Sequence, residues 1–503
     1  MNHLPLAVLA LSGALSTVLS AQVELDRLTV QNASTFSAFG SAVALSGDVM
    51  VVGASDDAVP QNYTGSVFVF RRSNGNWVQE QKLTASNGGL LHEFGRSVAI
   101  DGNVIVVGAP APITSSFNGA AYVFRFDGSQ WNEEQILLPA GDWIGWDVDI
   151  EGDRIVVGAM YTDLPGAAEA GAAWVYDFDG TTWNATQRLT ASDHFGHDLF
   201  GSAVGLSGNT ILVGARGESD NGLQLYYIGA VYSFDLTPSG WVETQKFRAN
   251  LAEEQAQFGS SLAIDGDVAV IGAPAKNYRE GAAYFVHRQG GTWVEDAKVL
   301  SPWPGYNHYF GLNLDLAGDL ALIADLGRDM NGNPGGTVFA YRFDGSAWLD
   351  EPSFQGSHTV SGSGFGQAVA LDGTAAAVTS WETNSNAVDG AAYLFDMAEK
   401  FHLMLSPLPL QADEDATFSV RHAPANTAVL LTYSFAGPGS FPIPGLGLTL
   451  GLALPQSYGL MITNGTGLEK IESHLLPVAA GIDIWMQALH LGAVTNVIAT
   501  GIR

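Results

Sequence analysis

Carboxylates and aromatic side chains gather in a few short intervals of this chain. Asp56, Asp57 and Tyr63 share one; Tyr161 and Asp163 share a second; Glu218, Asp220 and Tyr226 share a third. Tyr278, Asp329 and the pair Trp381 and Glu382 fall in later ones. An aromatic ring offers an apolar face to a sugar ring, while carboxylates accept hydrogen bonds from hydroxyl or ammonium donors. Such sets suit a glycan, or a basic or calcium-bridged protein ligand. Asp329-Met-Asn-Gly-Asn333 adds a second chemistry. Asp329, Asn331 and Asn333 place oxygen side chains at alternate positions, as the loop around a hard cation does. The longer loop pattern that closes on a Glu is absent there, and turn formation explains the Asn and Gly equally well.

These intervals recur at one point of a pattern that the chain repeats seven times. The pattern runs Phe-Gly, a Gly turn, Val-Val-Gly-Ala, Gly-Ala-Ala-Tyr-Val-Phe and then Trp. Phe39, Phe94, Phe200, Phe258, Phe310 and Phe365 open six copies, and Ile144 opens the other. The landmark spacings hardly change. The Gly after Phe lies 7 residues before the turn Gly (Gly40 to Gly47), itself 6 before the Gly of Gly-Ala (Gly47 to Gly53). The Gly that opens Gly-Ala-Ala-Tyr lies 12 before Trp (Gly65 to Trp77). Trp lies 17 before the next Phe, or 13 between Trp131 and Ile144. Only the stretch after Gly-Ala varies freely, from 9 (Gly272 to Gly281) to 15 (Gly214 to Gly229).

Four short strands fit each copy. Val-Ile-Val-Val-Gly-Ala, the second, is apolar on both faces, as a strand buried between neighbours is. Trp-x-x-x-Gln-Lys-Leu, the fourth, is more polar, as an outer edge is. In an up-and-down sheet the 1–2 and 3–4 loops share one end, and the 2–3 and 4–1 loops share the other. The second end carries the length variation and the carboxylate–aromatic sets, so binding belongs there. Asp127-Gly-Ser-Gln-Trp131 and its counterparts lie at the fixed end and read as hairpin turns. The repeated Trp reads as packing between blades.

The last copy lacks its Trp, for which His402 stands. Leu28-Thr29 lies 11 residues before Phe39, as Leu83-Thr84 lies before Phe94, so Val23–Val30 supplies the missing outer strand. The expected fold is all-β. A seven-bladed β-propeller of four-stranded blades spans residues 22–398, closed by the N-terminal strand, and a small C-terminal β-sandwich spans 399–503.

Charge narrows the partners. The 503 residues include 21 Lys and Arg against 51 Asp and Glu, a formal net charge of −30. That argues against nucleic acid and against anionic membrane surfaces. There is no Cys, which removes disulfides, thiolate metal sites and Cys nucleophiles. Residues 1–21 resemble a secretory signal peptide. No later segment reads as a membrane span; the apolar run 445–454 alternates with a period of two, as a strand does.

Phe94-Gly95-Arg-Ser-Val-Ala-Ile, Val106-Val-Gly-Ala-Pro110 and Ile271-Gly-Ala-Pro274 resemble the FG-GAP repeats of integrin alpha subunits and of many bacterial secreted proteins. The resemblance covers about residues 23–396 and implies a propeller used for adhesion or ligand recognition. Calcium-binding members carry an Asp-x-Asp-x-Asp-Gly type loop between strands one and two. Here a tight turn such as Ala99-Ile-Asp-Gly-Asn103 leaves no room for several oxygen ligands, so calcium is not expected at that place. No other cofactor is implied. The last two copies also lose Gly-Ala, reading Ala324-Asp325 and Thr379-Ser380.

The expected protein is therefore a secreted or cell-surface, monomeric recognition propeller without enzymatic activity. It binds an extracellular protein or glycan through its 2–3 and 4–1 loops. No Gly-x-Ser-x-Gly, Walker loop or His-Glu-x-x-His appears. Two alternatives stand: a polysaccharide hydrolase or lyase using carboxylates on the same face, and a structural surface protein.

Overall fold

The turn glycines Gly47, Gly102, Gly152, Gly208, Gly266, Gly318 and Gly373 adopt φ between +55° and +59°. This left-handed conformation, which glycine enters without a Cβ clash, folds strand one back onto strand two. Seven such hairpins start seven sheets. The structure, a computed structural model, describes residues 23–397 apart from 31–33, 35–36, 59–63, 111–118, 140–143, 221–224, 251–252, 304, 328–334, 360–361 and 385–386. It also describes nine strands between 402 and 501. The expected signal segment lies outside these residues. One compact unit runs Ala21–Met397, and a second includes Ala398–Arg503.

In the first unit Phe39–Ser46, Val49–Ala54, Ser66–Ser73 and Asn76–Leu83 pair in that order as one blade. Five more blades repeat the order. The seventh joins Val369–Asp372, Ala375–Asn384 and Ala387–Asp396 to Val23–Leu28. Val23 pairs with Asp396 and Leu28 with Ala392, both strands antiparallel. The N-terminal strand closes the ring, as the spacing predicts. Both chain ends of the propeller therefore lie at the end of the fixed turns, opposite the variable loops.

Close approach between blades explains the repeated small residues. Strand two is buried along its length, as in Val104–Ala109. A Cβ placed on Gly53, Gly158, Gly214 or Gly272 would lie 1.9 to 2.2 Å from the carbonyl oxygen of Gly95, Gly201, Gly259 or Gly311 in the next blade. That carbonyl also accepts a hydroxyl, from Ser41 Oγ at 2.9 Å and from Ser261 Oγ at 2.7 Å. The last two blades carry Ala324 and Thr379 at this place, and the Thr379 hydroxyl donates to the Gly40 carbonyl at 2.8 Å. The Phe of Phe-Gly packs edge-on against its own blade's third strand, as Phe94 does on Tyr122 at 5.1 Å.

Side chains tie the blades at both radii. On the outside, the Trp131 N–H donates to Gln81 Oε1 and Gln81 Nε2 donates to the Trp131 carbonyl, both at 2.8 Å. Gln135 with Trp183, Gln187 with Trp241 and Gln245 with Trp293 do the same. A bulge in the outer strand turns Glu80 out to pair with Arg71 at 2.7 Å and accept Trp131 Nε1 at 3.0 Å. Near the axis, the residue before the turn glycine accepts the turn-glycine amide of the next blade at six of the seven junctions, Ala317 being the exception. Ser46 takes Gly102 at 3.2 Å, Asp101 takes Gly152 at 2.6 Å and Asp265 takes Gly318 at 2.7 Å, while Asp372 takes Gly47 across the closure.

The described strands of the second unit form three sheets. His402–Ser406, Asp415–Arg421 and Glu469–His474 make one. Ala428–Ser434 pairs with Gln456–Ile462 and Asp483–His490 in a second, and Phe441–Ile443 pairs with Leu448–Leu450 in the third.

Replacing Gly214 with Ala puts a methyl group where the Gly259 carbonyl sits. The expected loss is about 1–3 kcal/mol of unfolding free energy, read from urea denaturation. An unchanged midpoint would mean that blade spacing does not depend on this glycine.

Candidate functional site

The 2–3 and 4–1 loops interlock from blade to blade. The glycine that opens strand three forms a parallel bridge to the next blade's Phe, as Gly229 does with Phe258 and Gly281 with Phe310. Backbone bonds extend this contact. The Gln255 N–H donates to the Tyr226 carbonyl at 2.9 Å and the Tyr309 N–H to the Arg279 carbonyl at 2.8 Å. Held this way, Tyr227, Gln255, Gln257, Asn277, Tyr278, Arg279, Asn307 and Tyr309 take φ between +50° and +71°. Left-handed backbone at a residue other than glycine costs about 1 kcal/mol or more, and such strain clusters at ligand sites.

These residues surround one groove, a cavity of about 950 Å³ among the loops of blades four to six. Tyr278 and Tyr306 each keep 76% of their surface exposed. Their rings meet edge to face at 5.8 Å. Tyr227 joins the wall with 45% exposed. Glu253, Gln255, Asn277 and Asn307 supply polar groups around the rings. Burial opposes ionisation of Glu253, but Lys298 at 3.1 Å and Lys276 at 3.2 Å outweigh it and hold the carboxyl below its ordinary range. The result is an open cleft with aromatic platforms and polar groups around them, able to hold a polar ring compound without bond chemistry.

The sequence-predicted residues divide. Tyr278 faces this groove, and Tyr226 is exposed beside it in the same loop as Tyr227. Asp57 is buried, 2.6 Å from Lys82, and accepts the Ser66 hydroxyl at 2.6 Å and the Ser34 amide at 2.8 Å. Glu218 is buried between Lys246 at 2.9 Å and Arg248, whose guanidinium also holds Asp220 at 2.7 Å. These carboxylates brace loops. Asp56 is exposed, within electrostatic reach of Arg96. Asp163 caps the Glu169 amide at 2.8 Å. Tyr161 packs edge-on against Trp146 at 5.6 Å. Trp381 is 39% exposed, and Glu382 lies on the same strand, Ala375–Asn384. Tyr63, Asp329, Asn331 and Asn333 fall outside the described residues. Among the described residues no three His, Asp or Glu side chains gather closely enough to hold a metal ion.

Tyr306 and Tyr227 escaped the sequence reading. Tyr306 sits in the 4–1 connection, on the expected binding face but outside the freely varying 2–3 stretch from which the candidate residues come. Its signal was an aromatic placed beside Gly and Asn just before Phe-Gly. Asp127 behaves as the fixed end predicts: its carboxylate accepts the Ser129 and Gln130 amides at 2.8 and 2.9 Å.

Along the axis, the inner strands enclose a cavity of about 330 Å³. Asp147, Asp149 and Asp315 stand half-buried in its wall. Each ties the next blade, accepting Val204, Leu206 and Leu371 amides at 2.8, 2.7 and 2.6 Å. Burial outweighs these bonds and pushes the carboxyls up, to about 6 for Asp147 and about 7 for Asp149 and Asp315.

Seven four-stranded blades closed through the N-terminal strand define a β-propeller. The FG-GAP repeat family matches residues 23–70, 77–124, 131–176, 183–234 and 241–286. Each matched unit starts on an outer strand and runs through three strands of the following blade, out of phase with the blades themselves. The chain belongs to this family. No curated protein matches it. Among solved structures, a fungal alcohol oxidase of the AA5 family in complex with copper is similar at 12% identity, over 96% of this chain and all of that one. Its TM-score is 0.47, a likeness too low to bear on fold or chemistry. No helix among the described residues is long and apolar enough to cross a membrane.

The axial carboxylates set a pH dependence. An unfolded Asp titrates near about 4, so between there and about 7 the folded state holds protons that the unfolded state has released. Stability therefore falls as pH rises through that window. The melting temperature should be higher at pH ~5 than at pH ~8, and Asp149→Asn should flatten the slope. An identical slope in the variant would assign the effect to other groups.

Proposed function

We propose that this chain is an extracellular recognition propeller whose variable-loop face binds a glycan in the groove of Tyr227, Tyr278 and Tyr306. One observation carries the reading: Tyr278 and Tyr306 stay exposed on strained loops, where water contact costs free energy that a stacked ligand would recover. The edge-to-face pair presents an open platform for the apolar face of a sugar ring. Glu253, Gln255 and Asn307 surround it with acceptors and donors for hydroxyls. A groove of about 950 Å³ has room for more than one sugar unit. Family membership and the apolar N-terminal segment support a setting outside the cell.

A glycan array, run with and without calcium, should give hits that do not need the ion. On a hit, Tyr278→Ala and Tyr306→Ala should each weaken binding by about tenfold. Phe195→Ala, which removes an aromatic 59% exposed outside the groove, should leave it unchanged. An array without hits would defeat the reading. Binding that survives both tyrosine changes would move the site elsewhere.

A further inference from the structure

The mouth of the central channel carries a site of opposite charge to the rest of the molecule. A cavity of about 310 Å³ opens there. Its wall includes the residue that follows Phe-Gly in each blade, with the Asp147 carboxylate next to Trp146. Ser41, Ser202, Ser260 and Gln367 hold that place in four blades, and Arg96 and Trp146 hold it in two. Arg216, the first residue after Gly-Ala in the fourth blade, completes the wall.

Arg96 and Arg216 share one indole. The guanidinium carbon of Arg96 lies 5.0 Å from the Trp146 ring centre and that of Arg216 lies 5.5 Å from it. Tyr161 abuts the indole edge-on at 5.6 Å and hydrogen-bonds Arg216. The arrangement is rigid, because ring contacts fix both cations. It is also uncompensated. Elsewhere arginines meet carboxylates, as Arg71 meets Glu80, Arg125 meets Glu134 and Arg154 meets Asp177, each at 2.7 Å. Among the described residues neither Arg96 nor Arg216 has a carboxylate within ion-pair distance. Asp56 and Glu93 are within electrostatic reach of Arg96, whose charge opposes the upward push of burial on both carboxyls. Burial chiefly, and then the charge of Arg96, push the Arg216 guanidinium below its ordinary value. Two cations meet across one ring, in a chain of net charge −30, and among the described residues no carboxylate forms an ion pair with either.

We propose that the Arg96–Trp146–Arg216 mouth binds the carboxylate of a uronic acid unit in an acidic glycan. Each guanidinium presents a planar fork that matches the two oxygens of a carboxylate, and Trp146 sets the distance between the forks. The Gln367 amide in the same wall can meet ring hydroxyls; the Ser41, Ser202 and Ser260 hydroxyls already donate to backbone carbonyls. A divalent cation is repelled by the same charges. The sugar part of this proposal rests on the glycan reading above; the carboxylate part does not.

Calorimetric titration of the full chain tests it with four probes: trigalacturonate, its methyl ester, a neutral galactose trimer and inorganic sulfate. Trigalacturonate should bind, with the ester about tenfold or more weaker. Arg96→Gln and Arg216→Gln should each weaken trigalacturonate by about tenfold or more. Arg72→Gln, at an exposed arginine outside this wall, should not. Melting curves establish that each variant is folded. If Arg216→Gln fails to fold, Arg216→Lys keeps the charge without the fork and should still weaken binding. Equal affinity for the ester, equal affinity for sulfate, no binding, or folded arginine variants with unchanged affinity would each overturn the proposal. Uronate binding that persists in Tyr278→Ala, with no neutral glycan bound anywhere, would remove the groove reading and leave the mouth standing. Neutral glycan binding without uronate binding would remove the mouth alone.

Discussion

Everything in this propeller depends on how closely one inner strand can approach the next. The Gly259 carbonyl occupies the space that a Cβ on Gly214 would need, and the same holds at Gly53, Gly158 and Gly272. Contact at that distance brings the Phe-Gly turn of one blade against the second strand of its neighbour. The Ser hydroxyl, the Gln–Trp pair and the turn-glycine bond can then form at their separate radii. Ala324 and Thr379 take this place in the last two blades. Thr379 replaces the glycine in the closing blade and supplies the hydroxyl that a neighbouring Ser otherwise provides.

This constraint is why so much of the fold was legible in the residues. Fixed spacings among Phe39, Gly47, Gly53 and Trp77 are the imprint of strand lengths and blade distance, so counting them yields blades, ends and closure. Three things were not legible. The outer-strand bulge leaves no separate mark in Trp-x-x-x-Gln, because an extra residue is indistinguishable from an ordinary one until its partner strand is known. The pairing of Asp57 with Lys82, and of Glu218 with Arg248, depends on strands brought together from distant positions. A carboxylate in a variable loop looks like a ligand until its cation is seen. The third is the site itself. Tyr306 lay in an interval of constant length, and Arg96 and Trp146 lay inside a motif that is otherwise scaffold.

Function therefore sits where the repeat is interrupted in type rather than in length. At the position after Phe-Gly, serine suits the crowded channel mouth, and Arg96 and Trp146 are larger than packing requires. In the loops, Asn277, Tyr278 and Arg279 hold three successive residues in a conformation glycine would adopt with less strain. Both places combine a cost to the scaffold with side chains directed at solvent. In a chain of net charge −30 the two arginines are a local concentration of positive charge at the axis, while the groove presents exposed aromatic rings.

The closing blade also determines how the molecule bears load. Val23 pairs with Asp396, so the chain enters and leaves the propeller at the same end of one antiparallel strand pair. Tension between the two chain ends would peel that pair apart one hydrogen bond at a time, rather than shear all of them at once. The ring would yield first at its seam, leaving six blades built from continuous chain intact. Under pulling, the closure acts as a mechanical fuse, on the side of the molecule away from the ligand.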